Sequence, residues 1–128
     1  MVTIAFDTAT DRLSVAARHD GGGTVSAELT GARRHARCLL ALVDELLERL
    51  GAVPADVSTV VLSDGPGSFT GLRVGASVAK ALTSAAPVAL ATASTLLVQA
   101  AGIEAARGRT VLSVGNALPG ELHAARYR

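Results

Sequence analysis

This 128-residue chain has one cysteine, no tryptophan, and only Phe6, Phe69 and Tyr127 as aromatics. Cys38 alone rules out an intramolecular disulfide and any multi-thiolate zinc site drawn from this chain. Its place in an apolar helical pattern reads as a packed thiol rather than a reactive one. The shortage of aromatics removes a stacking platform for single-stranded bases. Charge of one sign is missing too: 12 Lys and Arg against 11 Asp and Glu leave +1, too little to hold nucleic acid by electrostatics. Any work on RNA is therefore expected to be indirect. No apolar run reaches the ~18 residues of a membrane span, and "VTIAFD" at the start shows no basic leader or cleavage site. The expectation is a soluble, cytoplasmic protein without membrane contact.

What is present is apolar residues, 49% of the chain, enough for one domain with a real core. "VTIAF" is short and β-prone, and "RLSVAAR" and "TVSAEL" alternate with period two, separated by the hairpin signal "HDGGG". Three antiparallel strands therefore open the chain. A helix is predicted over 34–50, where leucines and valine recur at spacings of three and four across an arc of roughly 160°, wider than the ~100° stripe of a surface helix. Gly51 and then Pro54 end it. This helix carries its charges backwards: Arg33, Arg34 and Arg37 at the start, Asp44, Glu45 and Glu48 towards the end. The macrodipole prefers the reverse, so either water solvates these charges or a partner surface compensates them.

"STVVLS" (58–63) reads as a strand buried on both faces. A helix over 70–85, the strand "VALAT", the helix "STLLVQAAGIEAAR" capped by Ser94 or Thr95, and the strands "TVLSVGN" and "ELHAARYR" complete the order. A meander followed by alternating strands and helices means a mixed α/β sheet with helices on its faces. The chain stops just after what reads as the first hairpin of something further, which suggests a missing second lobe.

Between "STVVLS" and the next helix lies "SDGPGSFTGLRVG" (63–75), with four glycines. It is not a phosphate-binding P-loop, because Leu72 and Arg73 follow Gly71 where Lys and Ser/Thr belong. A dinucleotide fingerprint misses by one residue. An anion site remains conceivable where Ser68, Thr70 and free amides converge at the helix start. The structural alternative has Ser68 capping the helix and Pro66 fixing the turn into it. Gly71, Gly75 and Ala79 then form a smooth ridge at i, i+4 and i+8, suited to close packing against another helix despite a propensity cost of up to ~1 kcal/mol per glycine. Gly75→Leu is expected to break that packing. Arg73 and Lys80 lie on a face away from the ridge.

"IAFDTAT", His35 in the first helix, "GPGSFTGLRVG" and "ATASTL" together resemble the bacterial TsaB (YeaZ) family over essentially the whole chain. Its members serve in making the threonylcarbamoyladenosine modification of tRNA. The resemblance implies an actin-like/Hsp70-like ATPase (RNase H-like) fold of two lobes, with 1–109 as the N-terminal lobe and 110–128 beginning a second. It also implies a non-catalytic scaffold for the TsaD threonylcarbamoyl transferase, with a TsaE-like ATPase completing the assembly. Such proteins pair through helices of the N-terminal lobe, either with the transferase or as homodimers. On that basis the interface is expected at Arg37, Leu40, Leu47, Gly71, Val74, Gly75, Val78, Ala79 and Leu82. The transferase carries a histidine pair spaced H-x-x-x-H on the helix after "VALAT"; here "ASTLLVQAA" has none, and His19, His35 and His123 are scattered. No catalytic residue, metal or cofactor is therefore expected.

Asp7 and Thr8 correspond to the phosphate-contacting turn of ATP-using relatives. With Gly65, Pro66, Gly67, Ser68, Phe69 and Thr70 they form a candidate ligand loop, and an ATP–Mg-dependent phosphotransferase or ATPase is the alternative function. A truncated paralogue that only homodimerises is another. The sequence departs from the family at Asp64, where arginine is commoner, and at Gly115, Asn116 and Ala117, where the family reads D-A-R.

Overall fold

The computed structural model describes residues 1–31, 35–84, 86–103, 108–116 and 120–128. Arg33, Arg34, Ala117, the last residue of the helix expected over 70–85 and the 104–107 tail of the third expected helix lie outside them.

The opening meander forms as its alternation dictates. Strands β1 (Val2–Asp7), β2 (Arg12–His19) and β3 (Thr24–Thr30) pair antiparallel, with Ile4 opposite Ala17 and Ala17 opposite Val25. β4 (Val57–Ser63) then pairs parallel to β1, and β5 (Ala89–Ala93) parallel to β4, in the order β3-β2-β1-β4-β5. Period two sends Val2, Ile4 and Phe6 of β1, Leu13, Val15 and Ala17 of β2, and Val60 and Leu62 of β4 to one face, where all are buried.

Two helices cover that face. α1 (His35–Arg49) lays Leu39, Val43, Leu46 and Leu47 on it, and α2 (Phe69–Ser84) adds Ala79. α1 ends as its glycine predicts. Gly51 takes φ +65°, its N–H donates to the Glu48 carbonyl, and the Ala52 N–H donates to the Leu47 carbonyl, the paired bonds that close a helix in the left-handed conformation. A short 3-10 turn at Pro54–Asp56, which the sequence pattern did not indicate, leads into β4.

The opposite face differs from expectation. β4 was expected to be buried on both sides, but Val61 is only half-buried. Among the described residues only α3 (Thr95–Ala101) reaches this face, and an open trough of ≈ 270 Å³ is left, lined by Ala5, Ser14, Ala16, Val61 and Val98 among others. α3 ends at Ala101, earlier than expected, with Gly102 as its C-cap donating its N–H to the Val98 carbonyl at 3.1 Å. Ser94 is its N-cap position, without a side-chain capping bond.

β6 (Val111–Asn116) and β7 (Leu122–Tyr127) form a separate antiparallel hairpin. It leans on α3, with the Ser113 hydroxyl donating to Gln99 Oε1 at 3.1 Å, and leaves Leu112, Val114 and Leu122 exposed. Among the described residues no helix is long and apolar enough to cross a membrane.

Candidate functional site

The glycine loop leaves β4 beside the turn that leaves β1, and the two are knitted together. The Asp7 carboxylate accepts from the Ser63 hydroxyl at 2.6 Å and from the Ala9 N–H at 2.7 Å, both on Oδ1. Buried Thr8 donates its hydroxyl to the Gly71 carbonyl at 2.8 Å. The Ser68 N–H donates to the Ala9 carbonyl at 2.7 Å. Ser68 also caps α2, its hydroxyl accepting from the Gly71 N–H at 3.2 Å. On the other flank the Asp64 N–H bonds the Ala93 carbonyl and the Thr95 N–H bonds the Gly65 carbonyl, at 3.0 and 2.8 Å. "DTAT", "GPGSFTG" and "ATAST" therefore meet at one end of the sheet.

What the glycines admit is now defined. A Cβ on Gly67 would fall on the Ala9 carbonyl, one on Gly71 would fall on the Thr8 carbonyl, and one on Gly75 would sit 2.5 Å from Thr8 Oγ1. Gly71 and Gly75 are buried against the chain's own β1 and the turn after it, and Ala79 is buried in the core. This corrects the expectation that those three residues meet a partner helix. The anion reading loses ground for the same reason, since the Ser68 and Gly71 amides are bonded internally. Gly65, with φ +107°, and half-buried Pro66, joined to it by a cis bond, shape the entry, while Phe69 and Thr70 are exposed.

The other expected interface residues divide. Leu47 is 2% exposed and belongs to the core, and Val78 and Leu82 are half-buried against it. Arg37 and Leu40 stay on the outer side of α1, Leu40 half exposed, and Val74 of α2 is half-buried. The two helices flank a groove of ≈ 380 Å³ lined by Ala36, Thr70, Arg73, Val74, Ser77 and Val78. Phe69, 73% exposed, precedes the groove-lining Thr70, and the Arg73 guanidinium lies over its ring, 5.5 Å from the centroid. Phe69 was expected in the ligand loop rather than on this face, and Arg73 was not expected in the interface. Their i, i+4 spacing was the available signal. Neither helix has an acidic residue in its first turn.

Residues 14–125 match the family model described as TsaD: tRNA N6-adenosine threonylcarbamoyltransferase. The chain is 36% identical over 129 aligned residues to "tRNA threonylcarbamoyladenosine biosynthesis protein TsaB" of Escherichia coli, covering 100% of this chain and 55% of that protein. It is 33% identical to the Haemophilus influenzae protein of the same name, over 96% of this chain and 52% of the other. The structure titled "YeaZ from Pseudomonas aeruginosa" superposes with a TM-score of 0.92 at 30% identity, over 99% of this chain and 60% of that one. The chain thus spans about half the length of the curated relatives it matches. The five-stranded mixed sheet, with two helices on one face and one on the other, is that of the actin-like, RNase H-like superfamily. Sequence and fold together place this chain in the family of the tRNA N6-adenosine threonylcarbamoyltransferase model, within its TsaB (YeaZ) branch.

Proposed function

We propose that this chain is a non-catalytic docking partner of a TsaD-like threonylcarbamoyl transferase in the threonylcarbamoyladenosine modification of tRNA. It acts in the cytoplasm and contacts tRNA only through the assembly, with a TsaE-like ATPase as a further component. The observation that carries the reading is the outer α1–α2 side, where Leu40 and Phe69 are exposed and Val74 lines the groove. Large apolar side chains flanked by an arginine make a good anchor for a protein partner. The names of the relatives point to the same pathway.

Support for a scaffolding role comes from the turn. The hydroxyls of Thr8 and Ser63 are committed to Gly71 and Asp7, and so to holding the loop in place. On this reading the hairpin within 110–128 opens a second lobe. The direct test is size-exclusion chromatography with a TsaD-type transferase. Co-elution is expected, and Leu40→Asp should abolish it while leaving the circular dichroism spectrum unchanged. If the wild-type chain elutes alone while a full-length TsaB relative binds, the reading fails.

A further inference from the structure

The charges of this chain nearly cancel overall, but not along its length. From 108 to 128 there are three arginines, Arg109, Arg126 and Arg128, against a single acid, Glu121. α3, on which the β6–β7 hairpin leans, carries no charged residue. Glu121 sits at the turn end of β7, five residues before Arg126. That is about 17 Å along an extended strand, beyond the ~8 Å over which physiological salt screens a charge. All three arginines are exposed, and among the described residues none of them has an ion pair. One end of the hairpin therefore holds positive charge that the fold does not neutralise. The shape there is concave. Arg126 and Arg128 line a recess of ≈ 240 Å³ together with Thr110 and Tyr127. The two arginines share a face of β7 by period two, and Thr110 precedes Val111, the partner of Tyr127, which puts it across from Arg128. Arg128 and Tyr127 also border a neighbouring hollow of ≈ 250 Å³ that includes Arg109.

We propose that this end of the hairpin binds backbone phosphates of RNA, through Arg126, Arg128 and Thr110 at one recess and Arg109 beside it. A guanidinium is a planar fork of N–H donors that matches phosphate oxygens, and it stays charged at any working pH. A threonine hydroxyl is a common further donor to phosphate. Such contacts fix where a strand lies without reading its sequence. RNA as the source of the phosphates rests on the tRNA-modification reading above. A lipid surface fits less well, because three arginines fall short of the ~4–8 basic residues of a headgroup-binding cluster. Three contacts are also too few to hold a tRNA unaided, in keeping with the net charge of +1. They add to a grip that the assembly supplies.

Fluorescence anisotropy of a labelled oligouridylate, titrated with the full chain up to about 1 mM, tests this without a transferase. Log affinity should fall against log salt with a slope of about −2, about −0.7 for each of three contacts, so that going from about 50 to about 200 mM salt weakens binding about 20-fold. Arg126→Ala and Arg128→Ala should each lower affinity about fivefold to tenfold at about 50 mM salt and make the slope shallower by about 0.7. Arg18→Ala removes the same charge from exposed β2 and should change neither quantity. The substituted arginines are exposed, and unchanged thermal melting of each variant will show that folding is intact. Absence of RNA binding at about 50 mM salt overturns the proposal, as does an Arg18→Ala loss equal to that of Arg126→Ala. Arg126-dependent binding to phosphatidylglycerol vesicles with none to RNA overturns it in favour of a membrane. The two readings separate. A chain that co-elutes with the transferase but shows no arginine-dependent RNA contact defeats this inference alone. One that holds RNA through these arginines yet never binds the transferase upholds the recess and defeats the docking reading.

Discussion

Gly71→Ala is expected to destabilise the fold by about 2–4 kcal/mol, although alanine favours a helix by up to ~1 kcal/mol over glycine. The added Cβ lands on the Thr8 carbonyl, a backbone atom held by β1 and unable to swing aside as a side-chain end would. Relief requires α2 to lift from the sheet. That motion stretches the Thr8 hydroxyl bond to the Gly71 carbonyl and the Ser68 N–H bond to the Ala9 carbonyl, 2.8 and 2.7 Å long. A urea titration monitored by far-ultraviolet circular dichroism gives the number, and a midpoint equal to wild type would refute the account. Gly75→Leu belongs with it. Its Cβ meets Thr8 Oγ1, so this change should unfold the chain rather than only break an association, as the ridge pattern alone had suggested.

Two leucines of α1 should answer the same substitution in opposite ways. Leu46 has no exposed surface and lies in the core with Ile4, Val15 and Leu39. Leu46→Ala removes its buried methyl groups and leaves a cavity, for an expected loss of about 3 kcal/mol. Leu40 is half exposed, so Leu40→Ala should cost less than about 1 kcal/mol of stability. It should instead weaken co-elution with the transferase, which Leu46→Ala should spare as long as the chain stays folded. Denaturation midpoints and binding measured on the same preparations decide the matter. Equal stability losses at the two positions would mean that α1 is not seated as described.

Much of the fold is legible in the residues, because the signals are local. Period two in "VTIAF" and "RLSVAAR" places alternate side chains on one face, and the structure buries those same residues. Gly51 ends α1 through its left-handed backbone, and Ser68 starts α2 through its hydroxyl. The family is legible for a related reason, since its motifs sit where backbone geometry leaves few alternatives. "GPGSFTG" must pass within contact distance of "DTAT".

The direction of each surface is a different matter. A ridge of Gly71, Gly75 and Ala79 states only that something comes close, and a helix partner and the chain's own β1 require the same small residues. The broad apolar arc of α1 held Leu40 and Leu47 alike, and only packing on the sheet buried one and left the other out. The apolar run of β4 likewise could not reveal that its second face would border an open trough, leaving Val61 half-covered.

The sequence by itself therefore determined the order of strands and main helices, the end of α1, the start of α2 and the family, all of which depend on residues near one another in the chain. Only the tertiary structure decided that the glycine loop is locked to the "DTAT" turn and that Leu40, Phe69 and Arg73 stay exposed on the outer α1–α2 side. Those outcomes depend on which distant backbone atoms arrive first at a small residue, and no local pattern encodes that.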